Sequence, residues 1–332
     1  MYSLAPHHSF GFPSSARALL TLNLRYDLLD QLNGLANSIF YILGEGSNTV
    51  FLEDYQGTII KPDFKGIELR QTNTHHMVKV GASENWHMLV SWCMQHQIYG
   101  FENLALIPGT VGAAPIQNIG AYGIEVEKFI NHIEYFDLSD GSHKTLNSQD
   151  CEFTYRDSVF KKRLADKVVI ISVTFAIPKN WQPVVHYGEL KKLSNPSAMD
   201  IFNKVVEVRQ YKLPDPQKIG NAGSFFKNPI VGKEFFGKLQ QSWPHIPRYP
   251  VDTESVKIPA AWLIDKLGFK GKKVGGISCH PKQALVLTND GKGTGEQLLK
   301  LARDIKQAVL DEFSIVLENE VRLIGKNGPI FL

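Results

Sequence analysis

The run Gly220-Asn221-Ala222-Gly223-Ser224-Phe225-Phe226-Lys227-Asn228-Pro229 sets a serine behind two glycines and ahead of two aromatics, a cation and an amide. Glycines this close together weaken a helix or a strand, and no regular period organises the apolar positions. A backbone of this kind presents Ser224. With no histidine in the segment to deprotonate it, the hydroxyl suits giving or positioning a proton rather than nucleophilic attack. Taken in isolation, Gly-Asn-Ala-Gly is better read as a surface turn, so the rest of the chain must decide.

Three further segments could carry chemistry. Gly44-Glu45-Gly46-Ser47-Asn48 follows an apolar run, as phosphate cradles do, with small residues exposing main-chain N–H groups. It has neither the Lys-Ser/Thr of a nucleotide triphosphatase nor the third glycine and helix of a dinucleotide fold, and taken alone it reads as a hairpin turn. The stretch from Leu104 to Gly123 is poor in side-chain bulk, and two backbone-exposing loops are what a large cofactor with a central pyrophosphate requires. Tyr155-Arg156-Asp157-Ser158 is either a surface ion pair or a guanidinium fork for a carboxylate or enolate. Glu318-Asn319-Glu320-Val321-Arg322 reads as part of a strand, with 318, 320 and 322 on one face and Leu317, Val321 and Leu323 on the other. That face is solvated unless the strand lines a cleft.

The elements that must position these groups read as α+β. Strands are expected at 16–23, 39–43 and 49–52, with a short helix near 27–35. A second lobe is expected from Gly66, with strands at 67–71 and 77–81 and a helix at 85–97 burying Trp86, Leu89, Val90 and Cys93. Lys212-Leu213-Pro214-Asp215-Pro216 marks a boundary. Beyond it the pattern predicts a helix at 260–267, a strand at 284–288 and a long helix from Gly295. Thr294 and Gln297 form its capping box, and Leu298, Leu301, Ile305, Ala308 and Val309 its buried stripe. Three units follow: 1–65, 66–213 and 214–332, with the last strand returning toward the first two.

Composition narrows the function. With 36 Lys+Arg against 33 Asp+Glu in 332 residues there is no basic field for nucleic acid or anionic lipid, so an anionic ligand must be met locally. Cys93, Cys151 and Cys279 lie far apart and make neither a disulfide framework nor a metal knuckle, which fits a reducing compartment. The N-terminus lacks the basic and apolar regions of a signal peptide, and no apolar run approaches the ~18 residues of a membrane span. The expected location is the cytoplasm.

In this order, Leu43-Gly44-Glu45-Gly46-Ser47-Asn48, Ile107-Pro108-Gly109-Thr110-Val111-Gly112 with Gln117-Asn118-Ile119-Gly120-Ala121-Tyr122-Gly123, Tyr155-Arg156-Asp157-Ser158, the Ser224 segment and Leu317-Glu318-Asn319-Glu320-Val321-Arg322 resemble the UDP-N-acetylenolpyruvoylglucosamine reductase family over nearly the whole chain. Tyr187, in Tyr-Gly-Glu-Leu, resembles the tyrosine loop of its longer, type I form. The resemblance implies a two-lobed FAD-binding fold of the vanillyl-alcohol-oxidase type with a third domain over the substrate. FAD, bound without a covalent link, would be held by Leu43 to Asn48, Pro108 to Ala113 and Asn118 to Gly123. NADPH would be the reductant, the enolpyruvyl ether of UDP-N-acetylglucosamine the substrate and UDP-N-acetylmuramate the product, in a monomer.

Reduction at the β-carbon of an enol ether leaves carbanion character at C2, spread into the adjacent carboxylate, so positive charge must wait there. By resemblance Arg156 supplies it, Glu320 helps polarise the carboxylate in protonated form, and Ser224 gives the proton to C2. Lys212 and Lys270 match lysines at the diphosphate and uridine end of the family's pocket. Tyr187, Asn228 and Gln283 match its hydrogen-bonding partners, with Arg209 and Tyr122 as neighbours. No metal is implied. Gly112-Ala113-Ala114-Pro115 carries alanines where relatives have hydroxyl residues, so pyrophosphate contacts there would fall to main-chain N–H groups. Two alternatives stay open. A flavin oxidase of the same superfamily would attach its cofactor through His or Cys, absent from 43–48 and 107–123. A catalytically inactive UDP-sugar binder would tolerate loss of Ser224, Arg156 and Glu320, all of which are present.

Overall fold

Apolar strands lay down the first sheet in the order Tyr2–Ser3, Ser15–Leu22, Tyr55–Pro62, Phe40–Ile42. The last three run parallel, and only the short Tyr2–Ser3 edge is antiparallel. The computed structural model describes residues 1–23, 28–32, 35 and 38–332. The expected helix near 27–35 is found as Leu28–Leu32, and the remainder of that expectation lies mostly outside the described residues.

Strand Thr49–Phe51 leaves this sheet and pairs in parallel with Arg322–Gly325. The turn at 44–48 therefore joins strands of two different sheets, which removes the hairpin reading. The same pairing ties the end of the chain to its first lobe.

The second sheet is antiparallel throughout, in the order His143–Asn147, Ile130–Asp137, Val168–Pro178, His75–Gly81, Ile67–Gln71. Helix Trp86–Gln95 packs beside it. Asn85 caps the helix by accepting the Met88 N–H, and Trp86, Leu89, Val90 and Cys93 are buried as their spacing predicts. Trp86 also donates its indole N–H to the Leu104 carbonyl at 2.9 Å, which pins the start of the glycine-rich stretch to the helix.

Helix Ala198–Lys212 starts at a Ser197/Asp200 capping box and stops before Leu213, where two prolines follow. Beyond it lie a four-stranded sheet, Gly220–Ser224, Val286–Asn289, Ile277–Cys279, Lys273–Val274, and a three-stranded one, Ile230–Gly232, Ser255–Lys257, Tyr249–Pro250. Helix Gly295–Phe313 carries the expected Thr294/Gln297 box on both sides of the exchange. Leu298, Leu301, Ile305 and Val309 are fully buried, whereas Ala308 is only half-buried.

Two expectations are corrected. Gly220–Ser224 is a strand despite its glycines, paired antiparallel with Val286–Asn289 and interrupted by a bulge before Ser224. The glycines serve close approach and curvature: a Cβ on Gly220 would overlap the Phe10 carbonyl, and Gly223 takes the left-handed φ of +71°. Conversely, residues 318–321 are not strand, because the chain there makes one bridge, Asn319 to Phe226, and regular pairing begins at Arg322. The alternation survives without the ladder, since Leu317, Val321 and Leu323 are buried.

Candidate active site

The two small-residue loops face each other. Glu45 joins them, accepting from the Asn85 side-chain amide at 2.8 Å and from the Gly109 N–H at 3.2 Å. Lys61 donates to the Gly44 carbonyl at 2.8 Å; burial lowers its pKa, with Glu45 opposing. Two adjoining cavities follow, sharing Ile42, Gly44, Thr110, Ile116 and Arg322 on their walls, the larger of 310 Å³. Leu43 to Asn48, Pro108 to Thr110, Ala113 and Ile119 line the smaller, and Gly112 the larger.

Main-chain donors decide what this cradle can hold. Among the described residues, none of the N–H groups of Gly44 to Asn48 donates to a protein acceptor. Such a nest suits a pyrophosphate. In the second loop Gly112 donates to Ala82, Ala113 to Thr110 and Ala114 to Val111. The expectation that Gly112 to Ala114 supply free N–H groups is thereby corrected. Their role is to lie flat against 82–85. Neither His nor Cys lines the two cavities among the described residues.

Gly46 makes the first loop possible. Its φ is +68°, and a Cβ would overlap the His7 carbonyl and press on His8. Gly46→Ala is expected to cost about 2 kcal/mol of stability, from left-handed strain and displaced backbone. A thermal melt together with flavin absorbance of the purified protein checks it: the melting point drops and flavin content falls.

Arg156 and Glu320 meet across 164 residues of sequence, Nε to Oε1 at 2.9 Å. Their side chains are 17% and 12% exposed, so this is a buried pair and not a surface one. Arg156 sits at a left-handed φ of +56°, unusual for a non-glycine residue. Its remaining donors reach the Gly120 carbonyl at 2.9 Å and the Asn118 carbonyl at 3.4 Å, fixing the guanidinium beside the second cofactor loop. Burial opposes the Arg156 charge, but Glu320, Tyr155 and Glu125 outweigh it and lift its pKa above the ordinary value.

Glu320 links this pair to Ser224. Its N–H donates to the Phe225 carbonyl at 2.9 Å, one residue beyond the serine, and its own carbonyl accepts from Asn48 at 3.1 Å. The Asn48 amide also donates to Gln117 at 2.8 Å. Both small-residue loops, the serine strand and the ion pair are thus stitched through one residue. The Ser224 side chain is half-buried.

Arg156 also borders a large cavity, of 940 Å³, with Gly120 to Gly123, Tyr155, Tyr187 and Asn228 on its wall. Tyr187 stacks on Tyr249 at 5.2 Å between centroids. Burial raises the Tyr187 phenol, with Tyr249 adding to the shift. Lys257 lies 4.1 Å over the Tyr155 ring. Asn228 caps helix Ala260–Lys266 through its side-chain oxygen, accepting the Ala260 N–H at 2.9 Å, and offers its own N–H to the Tyr155 hydroxyl at 3.3 Å.

Other expected residues lie apart from this wall. Asn118 is buried, donating to Glu125 and to the Thr154 carbonyl, and Val111 is core. Lys212 ends its helix, Lys270 pairs with Asp265 at 2.7 Å, and Gln283 sits in the turn before Val286–Asn289. Arg209 is a neighbour of Tyr122 and donates to the Leu106 carbonyl at 3.2 Å; burial lowers its pKa, with Tyr122 opposing. Lys61, Arg248, Tyr249, Lys257 and Arg322 line the cavities without having been singled out as site residues. Only Arg322 carried a signal, two residues beyond Glu320 on the alternating segment.

Comparison with known proteins agrees with this geometry. A family model described as FAD binding domain matches residues 36–147, and one described as UDP-N-acetylenolpyruvoylglucosamine reductase, C-terminal domain, matches 215–324. The reductase of that name from Pseudoalteromonas atlantica is 56% identical over 99% of this chain and 96% of its own length. The chain belongs to the UDP-N-acetylenolpyruvoylglucosamine reductase family. Members from Vibrio cholerae and Escherichia coli are each 43% identical, over 98% and 99% of this chain and 94% and 97% of their own. The crystal structure of the family's reductase from Thermus caldophilus covers 97% of both chains with a TM-score of 0.65 at 22% identity, so the fold is shared. The chain is a flavoprotein oxidoreductase with FAD as cofactor and NADPH as reductant.

Proposed function

We propose that Ser224, Arg156 and Glu320 carry the family's reaction in this chain: NADPH-dependent reduction of the enolpyruvyl ether of UDP-N-acetylglucosamine to UDP-N-acetylmuramate, in peptidoglycan precursor synthesis and hence cell-wall biogenesis, cell shape and division. The observation that carries this reading is the buried Arg156–Glu320 pair, 2.9 Å apart and hydrogen-bonded through the Glu320 main chain to the residue after Ser224.

FAD would be held by the free N–H groups of Gly44 to Asn48 and the walls from Pro108 to Ile119, without a covalent bond. When bound, it would supply the redox chemistry that links NADPH to the substrate's β-carbon. Arg156, lifted in basicity and aimed by Glu320, balances the negative charge that develops at C2 and its carboxylate. Ser224 Oγ delivers the proton to C2. Tyr187 and Asn228 hold the UDP-sugar in the large cavity, whose wall also takes in Gly120 to Gly123, a segment expected at the FAD. Lys212, Lys270 and Gln283 enter through family resemblance alone.

The units 1–65, 66–213 and 214–332, with the last strand returning to the first, belong to the same reading, as do a monomeric state and a cytoplasmic location. Among the described residues no helix is long and apolar enough to cross a membrane.

One anaerobic experiment separates this from the alternatives. The yellow protein mixed with NADPH should bleach, and addition of the enolpyruvyl substrate should restore the colour without air. Colour restored only by oxygen indicates an oxidase; a protein that never bleaches indicates a sugar-nucleotide binder. Either outcome would refute the proposal.

A further inference from the structure

Lys161 ends the short helical turn Val159–Lys161 that follows the Arg156 loop. The turn is anchored by Ser158, whose hydroxyl donates to the Ile116 carbonyl at 2.7 Å and accepts the Phe160 N–H at 3.2 Å. From there the Lys161 ammonium reaches back and donates to the main-chain carbonyl of Arg156 at 2.9 Å. A lysine in an ordinary ion pair would find a carboxylate, but nearby Asp157 pairs with Lys162 instead, at 3.2 Å.

Its surroundings are unfavourable for a cation. Lys161 lines a cavity of 510 Å³ with Asp166, Lys227, Lys306, Glu318, Glu320 and Arg322. Burial pushes its pKa down to about 8, helped by Lys227 and Arg322 and opposed by Asp157 and Glu320. Charge packed at such a cost, against a carbonyl and next to the reacting ion pair, points to a task beyond folding.

The carbonyl it grips belongs to a residue in the left-handed region, Arg156 at φ +56°. Left-handed backbone in a non-glycine residue is held only where its surroundings over-determine it. The Thr154–Asp157 bridge supplies two bonds of 3.2 Å, and Lys161 supplies the charge-assisted third. We propose that Lys161 is a positioning residue for the reduction, its ammonium holding the backbone turn that aims the Arg156 guanidinium at the substrate carboxylate. This rests on the role given to Arg156 above.

The test measures the two half-reactions of the FAD-loaded enzyme separately and adds substrate binding by calorimetry. Lys161→Met should bleach with NADPH within about twofold of wild type and bind the enolpyruvyl substrate within about threefold. Its flavin should be reoxidised by that substrate about 30-fold more slowly, as misaimed catalytic groups cost rate more than affinity. Combined with Arg156→Gln, the loss should not multiply, because Lys161 acts through Arg156. The wild-type reoxidation rate should also fall as pH rises through about 8, where the ammonium loses its charge, and Lys161→Arg should move that fall to higher pH.

Wild-type reoxidation in Lys161→Met, or losses that multiply in the double variant, overturn the proposal. If Lys161→Met does not fold, Lys161→Arg decides, and an unmoved alkaline fall overturns it. Failure of the underlying reading shows elsewhere: Arg156→Gln alone, with Lys161 intact, would then reoxidise normally.

Discussion

Ser224→Ala is expected to leave flavin bleaching by NADPH within about twofold of wild type while reoxidation by the enolpyruvyl substrate falls by on the order of 10³-fold. A positioned acid contributes roughly 10²- to 10⁴-fold, and the upper half of that range applies where no second donor stands in. The Ser224 segment contains no histidine, and the hydroxyl stands at a bulge whose geometry Gly223 fixes at φ +71°. Replacing Oγ by hydrogen leaves that backbone unchanged, so the fold and the flavin should be retained. Stopped-flow absorbance with each partner in turn is the check. Equal slowing of both half-reactions would remove the serine from the proton-transfer role.

Arg156→Ala should lose both stability and rate, and the two losses should part company in the double variant. The single substitution leaves the Glu320 carboxylate buried at 12% exposure without its partner, a cost of about 3–5 kcal/mol. It also removes the positive charge facing the developing carbanion, and the reoxidation rate should fall by about 10³-fold. Arg156→Ala with Glu320→Ala removes both charges together. Stability should recover by most of that cost, because no uncompensated ion remains, while the reoxidation rate stays low. Denaturant unfolding beside half-reaction kinetics separates the effects. Recovery of rate along with stability would make the pair structural.

Legibility in the sequence followed the range of the interaction. The Gly295–Phe313 helix was readable because its cap and its stripe lie within one segment, and the same holds for Trp86–Gln95 behind Asn85. Ser224 was readable as a presented hydroxyl, yet its strand was not, because the partner Val286–Asn289 lies far along the chain and supplies the pairing that glycine discourages locally. Glu320 was readable from alternating burial, although the segment 318–321 obtains that alternation from Phe225 and Phe226 rather than from a ladder.

The cofactor loops were legible as exposed backbone, but not which of them keeps its donors free. That depends on Gly112 lying against Ala82, a contact no local pattern records. The substrate wall was least legible. Tyr249 and Lys257 carry no motif, and they meet Tyr187 and Tyr155 only because the paired strands Tyr249–Pro250 and Ser255–Lys257 bring them there from far along the chain. Lys161 belongs with these: its bond to the Arg156 carbonyl spans five residues, but its meaning depends on a φ angle.

The central claim is that this chain delivers a proton to the substrate's C2 while the reducing equivalent from NADPH arrives at the neighbouring carbon. Running the reaction in deuterium oxide with unlabelled NADPH, and examining the UDP-N-acetylmuramate by proton magnetic resonance, reads both positions at once. The account predicts deuterium at C2 in a single configuration, whatever label the methyl group acquires through exchange at the reduced flavin's N–H. Protium at C2, or deuterium there in both configurations, would contradict it.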